Sequence, residues 1–301
     1  MSSTIDTPPG TGTAPQIQDA AAPSPTRPKP NWFRRVVMTL AFAYVGWIIL
    51  ALFAQDFVIY LGAYRGSPTT DGPSDPAVTQ LWLEPAEGVR VEGWFMPGEG
   101  RTATNPGPAV LFLHGNKHWI DDIWRFHSAY TKAGYSFLAV DYRGYGRSRG
   151  TPSAAALISD AKAWMKRLRE RPEVDPDQIV VHANSLGGAL AIEVAAEYPV
   201  RILILESTFY RLEELFGRLL LPQFICRTSF RSHELLSEVR APVLVIHGRN
   251  DWLIPISHGE RLADAAAIAE FIDNDSGHTN YEPDWPAIRG FLGAGRLPEP
   301  Q

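Results

Sequence analysis

Two serines sit in settings that invite nucleophilic chemistry. Gly146-Arg147-Ser148-Arg149-Gly150 matches the pattern G-x-S-x-G letter by letter, whereas Ala183-Asn184-Ser185-Leu186-Gly187 lacks its first glycine. An elbow that presents a serine needs a strand running straight into it and a helix leaving straight after it. That sharp turn exposes Oγ and aims backbone N–H groups at a reacting carbonyl. Ser185 follows Ile179-Val180-Val181-His182 and precedes the apolar stretch Leu186–Ile192, a helix start. Ser148 lies several residues past its strand, between two arginines, with Pro152 close behind. The context selects Ser185, although S-x-G alone reads equally well as a helix N-cap. Alanine at 183 adds one methyl to a crowded turn, which a slightly wider approach accommodates.

A serine hydroxyl attacks only when a base takes its proton, and eight histidines are on offer. His182 lies inside the strand before the elbow, where packing is the expected role. His114 and His247 each end a strand in a His-Gly pair, which suits a structural hydrogen bond. His118, His127, His233 and His258 have no anchoring context. His278, in Asn274-Asp275-Ser276-Gly277-His278, follows the last strand on a loop able to reach back over the sheet edge. It is the expected base, in the order Ser, acid, His. The expected acid is Asp251, leaving the strand Pro242–Ile246; Glu206, Asp273 and Asp275 are its rivals. The oxyanion donors are expected to be the backbone N–H of Leu186 and that of Asn116, in the loop after Leu111-Phe112-Leu113.

These residues need a scaffold that brings strand ends together. From about residue 76, β-rich runs at 81–83, 89–95, 109–113, 137–141, 179–182, 202–205, 242–246 and 269–272 alternate, after the first few, with helix candidates. Ala154–Arg169, opened by Ser153 as N-cap, and Leu186–Glu197 are the clearest of those helices. The pattern predicts an α/β fold: a mostly parallel eight-stranded sheet flanked by helices. A short cap is expected at about 207–239, where Leu212, Leu215, Phe216 and Leu219 repeat at i, i+3, i+4 and i+7. Such a stripe reads as ordinary helix core or as a wall for acyl chains.

Upstream, residues 1–30 are rich in Pro, Ser, Thr, Ala and Gly and are expected to be disordered. Residues 36–55 are uncharged and long enough, as a helix, to cross a bilayer core of about 30 Å. The expected division is a tail over 1–30, a transmembrane anchor over 31–60, a linker over 61–75 and a catalytic domain over 76–297. Arg27, Lys29, Arg34 and Arg35 precede the apolar run and only Arg65 closely follows it. The positive-inside rule therefore puts the N-terminus in the cytoplasm and the domain outside.

Composition narrows the rest. The chain has 301 residues, 45% of them hydrophobic and 20% charged, with a net charge of −5. No basic stripe offers phosphate contacts, so no nucleic-acid partner is expected. One cysteine, Cys226, excludes an internal disulfide and a multi-cysteine metal site. No cofactor and no metal are expected, and oligomeric state is left open.

The set His114-Gly115-Asn116, Asp141–Ser148, Asn184–Gly188, Asp251 and His278 resembles the α/β-hydrolase superfamily over roughly residues 76–295. The anchor with Gln55-Asp56 and Ile59-Tyr60 resembles, within it, the membrane-anchored Bem-type (bud-emergence) subgroup. The resemblance implies a Ser185–Asp251–His278 triad, an ester or thioester hydrolase acting on small-molecule or lipid-like acyl esters, and a fold-shaping role for Asp141–Gly150. A silent hydrolase-fold binding module at the membrane and a serine peptidase are the alternatives. For the peptidase, Glu213 and Glu214 are the carboxylates available to a substrate amino terminus.

Overall fold

With no proline between Asn31 and Gly62, the apolar run extends beyond both expected ends into one 28-residue helix, α1 (Trp32–Ile59). At 1.5 Å per residue it is about 42 Å long, and it is long and apolar enough to cross a membrane. The computed structural model describes Thr4, residues 31–279 and residues 281–293. The expected tail over 1–30, Thr4 apart, and the domain's expected last residues, 294–297, lie outside the described residues.

Among the described residues eight strands form one sheet: β1 (Thr79–Ala86), β2 (Val89–Met96), β3 (Gly107–Leu113), β4 (Ser136–Val140), β5 (Val174–Asn184), β6 (Ile202–Glu206), β7 (Val243–Gly248) and β8 (Ala269–Asn274). The order is β1-β2-β4-β3-β5-β6-β7-β8. The pairings β1/β2 and β2/β4 are antiparallel, and all later ones are parallel. Strands β3, β4, β6 and β7 are buried at every residue, as their unbroken apolar runs require when helices cover both faces.

The helices supply those covers. They are α2 (Ile120–Ile123), α3 (His127–Thr131), α4 (Ala154–Arg169), α5 (Leu186–Glu197), α6 (Leu212–Arg218), α7 (Ser232–Leu235), α8 (Ile256–Ala265) and α9 (Trp285–Gly293). On one face Leu157, Trp164 and Met165 of α4 and Leu190 of α5 pack with Leu111 and Val181. On the other, Tyr130 of α3 and Ile288 and Phe291 of α9 pack with Phe112 and Ile204. Ser153 caps α4 as expected, accepting from the Ala156 N–H at 3.3 Å. The chain leaves β3 toward β4 on one side and reaches β5 on the other. The C-terminal ends of β3 and β5 therefore flank a topological switch point, where open α/β sheets hold their ligands.

The described residues from Gly46 onward form one compact unit and those up to Val45 another. The second half of α1 thus belongs with the sheet, where the sequence placed the whole of 31–60 and a linker over 61–75 apart from it. Polar pairing explains the difference. Gln55, buried at the end of the uncharged run, donates its amide to the Ile225 carbonyl at 3.3 Å and accepts from the Arg227 N–H at 2.8 Å. After the helix, Gly62 donates to the Asn116 carbonyl at 2.6 Å and accepts from the Trp119 indole at 2.9 Å. Residues 61–64 form a pinned 3-10 turn rather than free chain.

Candidate active site

Strand β5 runs directly into Ser185, and α5 starts at the next residue. The serine has φ 51° and ψ −117°, a left-handed conformation that a non-glycine residue adopts at a cost of order 1–3 kcal/mol. Gly187 makes that turn possible, because a Cβ there would run into the Leu113 and His114 carbonyl oxygens. Close packing of α5 on the end of β3 follows. Ala183 needs no glycine-like freedom: its φ is not positive, and its methyl sits in the core, in register between Leu113 and Leu205.

Three side chains from three strand ends form one hydrogen-bonded chain. Ser185 Oγ lies 3.1 Å from His278 Nε2, and His278 Nδ1 lies 2.8 Å from Asp251 Oδ2. A carboxylate only accepts, so Nδ1 carries the proton and Nε2 is left as an acceptor for the serine hydroxyl. Asp251 is itself fixed: Oδ1 accepts from the N–H groups of Leu253 and Ile254 at 3.0 and 2.8 Å. The loop from 114 to 116 abuts the serine, and a Cβ on Gly115 would lie 3.3 Å from Ser185 Cβ. Asn116 and Leu186 border the same cavity as Ser185, and among the described residues neither backbone N–H has an acceptor.

The rivals are engaged elsewhere. Glu206 is buried and accepts from His182 Nε2 at 2.6 Å and from the Tyr281 hydroxyl at 3.0 Å. Burial together with that carboxylate holds the Tyr281 phenol well above its ordinary pKa. Asp273 and Asp275 pair with Arg249 at 2.6 and 3.0 Å. Ser148 is buried in a turn, accepting from the Glu92 N–H at 2.9 Å, and φ is positive at Gly144, Gly146 and Gly150 around it. His114 contacts the buried Asp141 at 3.2 Å, and His247 donates to the Ile254 carbonyl at 2.9 Å, both structural arrangements.

Two cavities meet at the Ser185–His278 pair. One, of about 390 Å³, reaches Ser185 and is walled by Phe209, Leu212, Leu215 and Phe216 of the cap. Its opposite wall comes from α1: Trp47, Ala51, Ala54 and Val58, one helical stripe. Of the cap's apolar run, Leu220 is 77% exposed at φ 58° and is not among the residues lining this cavity. The second cavity, of about 480 Å³, is bordered by His278, Arg65, Lys117, His118, Asp122 and Arg125. Sequence gave His118 no role; burial pushes its imidazole down to about 4, and Nδ1 has no partner among the described residues.

With this sheet order, elbow and cap, the chain belongs to the α/β-hydrolase superfamily. The family model described as serine aminopeptidase, S33, matches residues 104–229. An uncharacterized protein of Mycobacterium tuberculosis, Rv2307c, is 34% identical over 236 residues, 77% of this chain and 82% of that one. The α/β-hydrolase domain-containing protein WAV2 of Arabidopsis thaliana is 29% identical over 251 residues, covering 74% of this chain and 79% of its own. Among solved structures, the Pyrococcus furiosus esterase Pf2001 superposes with a TM-score of 0.60 at 21% identity, over 77% of this chain and 99% of that one. That likeness concerns the fold.

Proposed function

We propose that the chain is a membrane-anchored serine hydrolase that cleaves carboxylic esters or thioesters through an acyl-enzyme on Ser185. The observation that carries this is the Asp251–His278–Ser185 hydrogen-bonded chain at the mouth of an apolar cavity. Oγ attacks the acyl carbonyl while Nε2 takes its proton, and Asp251 stabilises the imidazolium. The oxyanion rests on the Leu186 and Asn116 N–H groups, each such donor contributing about 3–4 kcal/mol when measured by deletion. The proton passes to the departing alcohol or thiol; water then repeats the sequence and releases the acid. The apolar cavity takes the acyl chain, and the cavity beyond His278 takes the alcohol or thiol portion. The Pyrococcus furiosus protein that shares this fold is an esterase, which supports ester substrates.

A fluorophosphonate probe is expected to label Ser185, and Ser185→Ala to abolish the adduct. No adduct on the unmodified protein would leave a silent hydrolase-fold module. The peptidase reading is weaker, because among the described residues no acidic side chain lines the apolar cavity. Glu213 pairs with Arg211 at 2.7 Å and Glu214 with Arg261 at 2.9 Å.

Within the same reading, α1 is the anchor of a protein of the Bem-type subgroup, the N-terminus is cytoplasmic and residues 76–297 carry the chemistry outside. A reporter fused after Gln301 is expected to be active on the extracytoplasmic side, and carbonate washing to leave the protein in the membrane. Activity of the reporter in the cytoplasm alone reverses the orientation.

A further inference from the structure

We propose that α1 is a wall of the acyl site as well as an anchor, and that the substrate is an ester resident in the bilayer, whose acyl chain slides into the cavity sideways from the lipid leaflet. This rests on the serine hydrolase reading above and narrows its substrate class.

The helix is built into the cavity. Trp47, Ala51, Ala54 and Val58 lie at i, i+4, i+7 and i+11 and face the cap across it. Ala51 and Ala54 are the small members of that stripe and leave the width a chain needs. The wall is latched at both ends. The Trp47 indole N–H donates to the Leu219 carbonyl at 2.9 Å, and Gln55 holds the Ile225 carbonyl and the Arg227 N–H. Arg227 also reaches Asp56 at 3.2 Å.

Helix length places the cavity at the level of the lipid. A span needs roughly 20 residues for a core of about 30 Å. Residues 32–45, outside the sheet-bearing unit, supply only fourteen. To cross, the helix must carry its next residues into hydrocarbon, and those include Trp47, Leu50 and Ala51 of the cavity wall. The surface beside them is suited to that depth. Leu220 is 77% exposed, Phe224 88% and Trp252 63%, next to or among the residues that bond or face α1, while Phe53 on the helix is 82% exposed. Exposed large apolar side chains beside a membrane helix are suited to a membrane contact.

The test uses the full chain reconstituted in phosphatidylcholine vesicles, with p-nitrophenyl dodecanoate in the lipid and p-nitrophenyl butyrate in the water. Ala51→Phe and Ala54→Phe narrow the cavity from the α1 side. Each is expected to lower the dodecanoyl-to-butyryl ratio of kcat/KM about tenfold, the loss of roughly two methylenes from the site. The smaller change Ala54→Leu is expected to give a graded fall, and fluorophosphonate labelling of Ser185 reports that each variant is folded. Leu220→Glu combined with Phe224→Glu is expected to lower dodecanoate turnover in vesicles, relative to the same ester in detergent micelles, by about tenfold. Unchanged ratios in both series overturn the proposal and mean that substrate arrives from water. A fall in the rim variant that accompanies loss of a crosslinked dimer also overturns it, assigning the rim to a second copy of the chain. Absence of butyrate hydrolysis and of labelling in the unmodified protein instead rejects the serine hydrolase reading itself.

Discussion

Ser185→Ala is expected to lower kcat by about five orders of magnitude, and His278→Ala by a similar factor. The two act as a unit, since the hydroxyl is a poor nucleophile without Nε2 3.1 Å away and the imidazole has nothing to deprotonate without Oγ. The double variant should therefore be no slower than either single one. Residual turnover is then expected to reflect the proposed oxyanion donors, the Leu186 and Asn116 N–H groups, and substrate positioning alone. Ser148→Ala supplies the contrast: its Oγ serves the Glu92 N–H in a buried turn. Its removal leaves turnover within a few-fold and costs about 1–3 kcal/mol of stability, because a buried donor loses its acceptor. Steady-state kinetics and thermal unfolding of the three variants check this. A dead Ser148→Ala beside an active Ser185→Ala sinks the assignment.

Asp251→Asn is expected to give the second large effect, a loss of about four orders of magnitude in kcat. An amide at this position offers an N–H where the carboxylate accepted the Nδ1 proton. The imidazole then turns its protonated nitrogen toward the serine and cannot take the hydroxyl proton. Asp273→Asn and Asp275→Asn should stay within a few-fold, because both carboxylates spend their charge on Arg249 at the surface. Glu206→Gln should cost stability more than rate, since it disturbs a buried cluster with His182 and Tyr281. A large kinetic loss from Glu206→Gln with little from Asp251→Asn would move the acid to β6.

The parts of the fold and of the candidate site leave signals of different kinds in the sequence. Parallel strands buried on both faces are written as unbroken apolar runs, so β3, β4, β6 and β7 stood out. Amphipathic or apolar helices with clear starts did so too: Ala154–Arg169 and Leu186–Glu197 coincide with α4 and α5. Strand β5 begins earlier than its apolar run, at Val174, because Asp175, Pro176 and Asp177 interrupt the pattern at a register shift opposite β3. In the cap, the i, i+3, i+4, i+7 stripe hid the end of the helix. α6 stops at Arg218, and Leu220 turns into the left-handed region two residues before Pro222. The expected site residues could be chosen because strand ends converge by topology. The wall supplied by α1 could not, since a long apolar run looks the same whether lipid or protein covers it. Gln55 was the available clue, one amide inside twenty uncharged residues.

That amide also fixes how the helix is turned about its own axis. Successive residues are about 100° apart, so advancing α1 by one position swings Gln55 away from the Ile225 carbonyl and strands both groups. Each unpaired polar group left in apolar surroundings costs about 1–3 kcal/mol. The helix is therefore keyed at a single azimuth, with Ile49, Phe53 and Phe57 forming the outward stripe at i, i+4 and i+8. A smooth apolar rod is free to spin and piston in a bilayer, but this one is indexed to the enzyme it carries. If α1 is the proposed anchor, thinning or thickening of the membrane around it acts on the hydrolase unit as tilt or depth, with no slippage at the helix to absorb it.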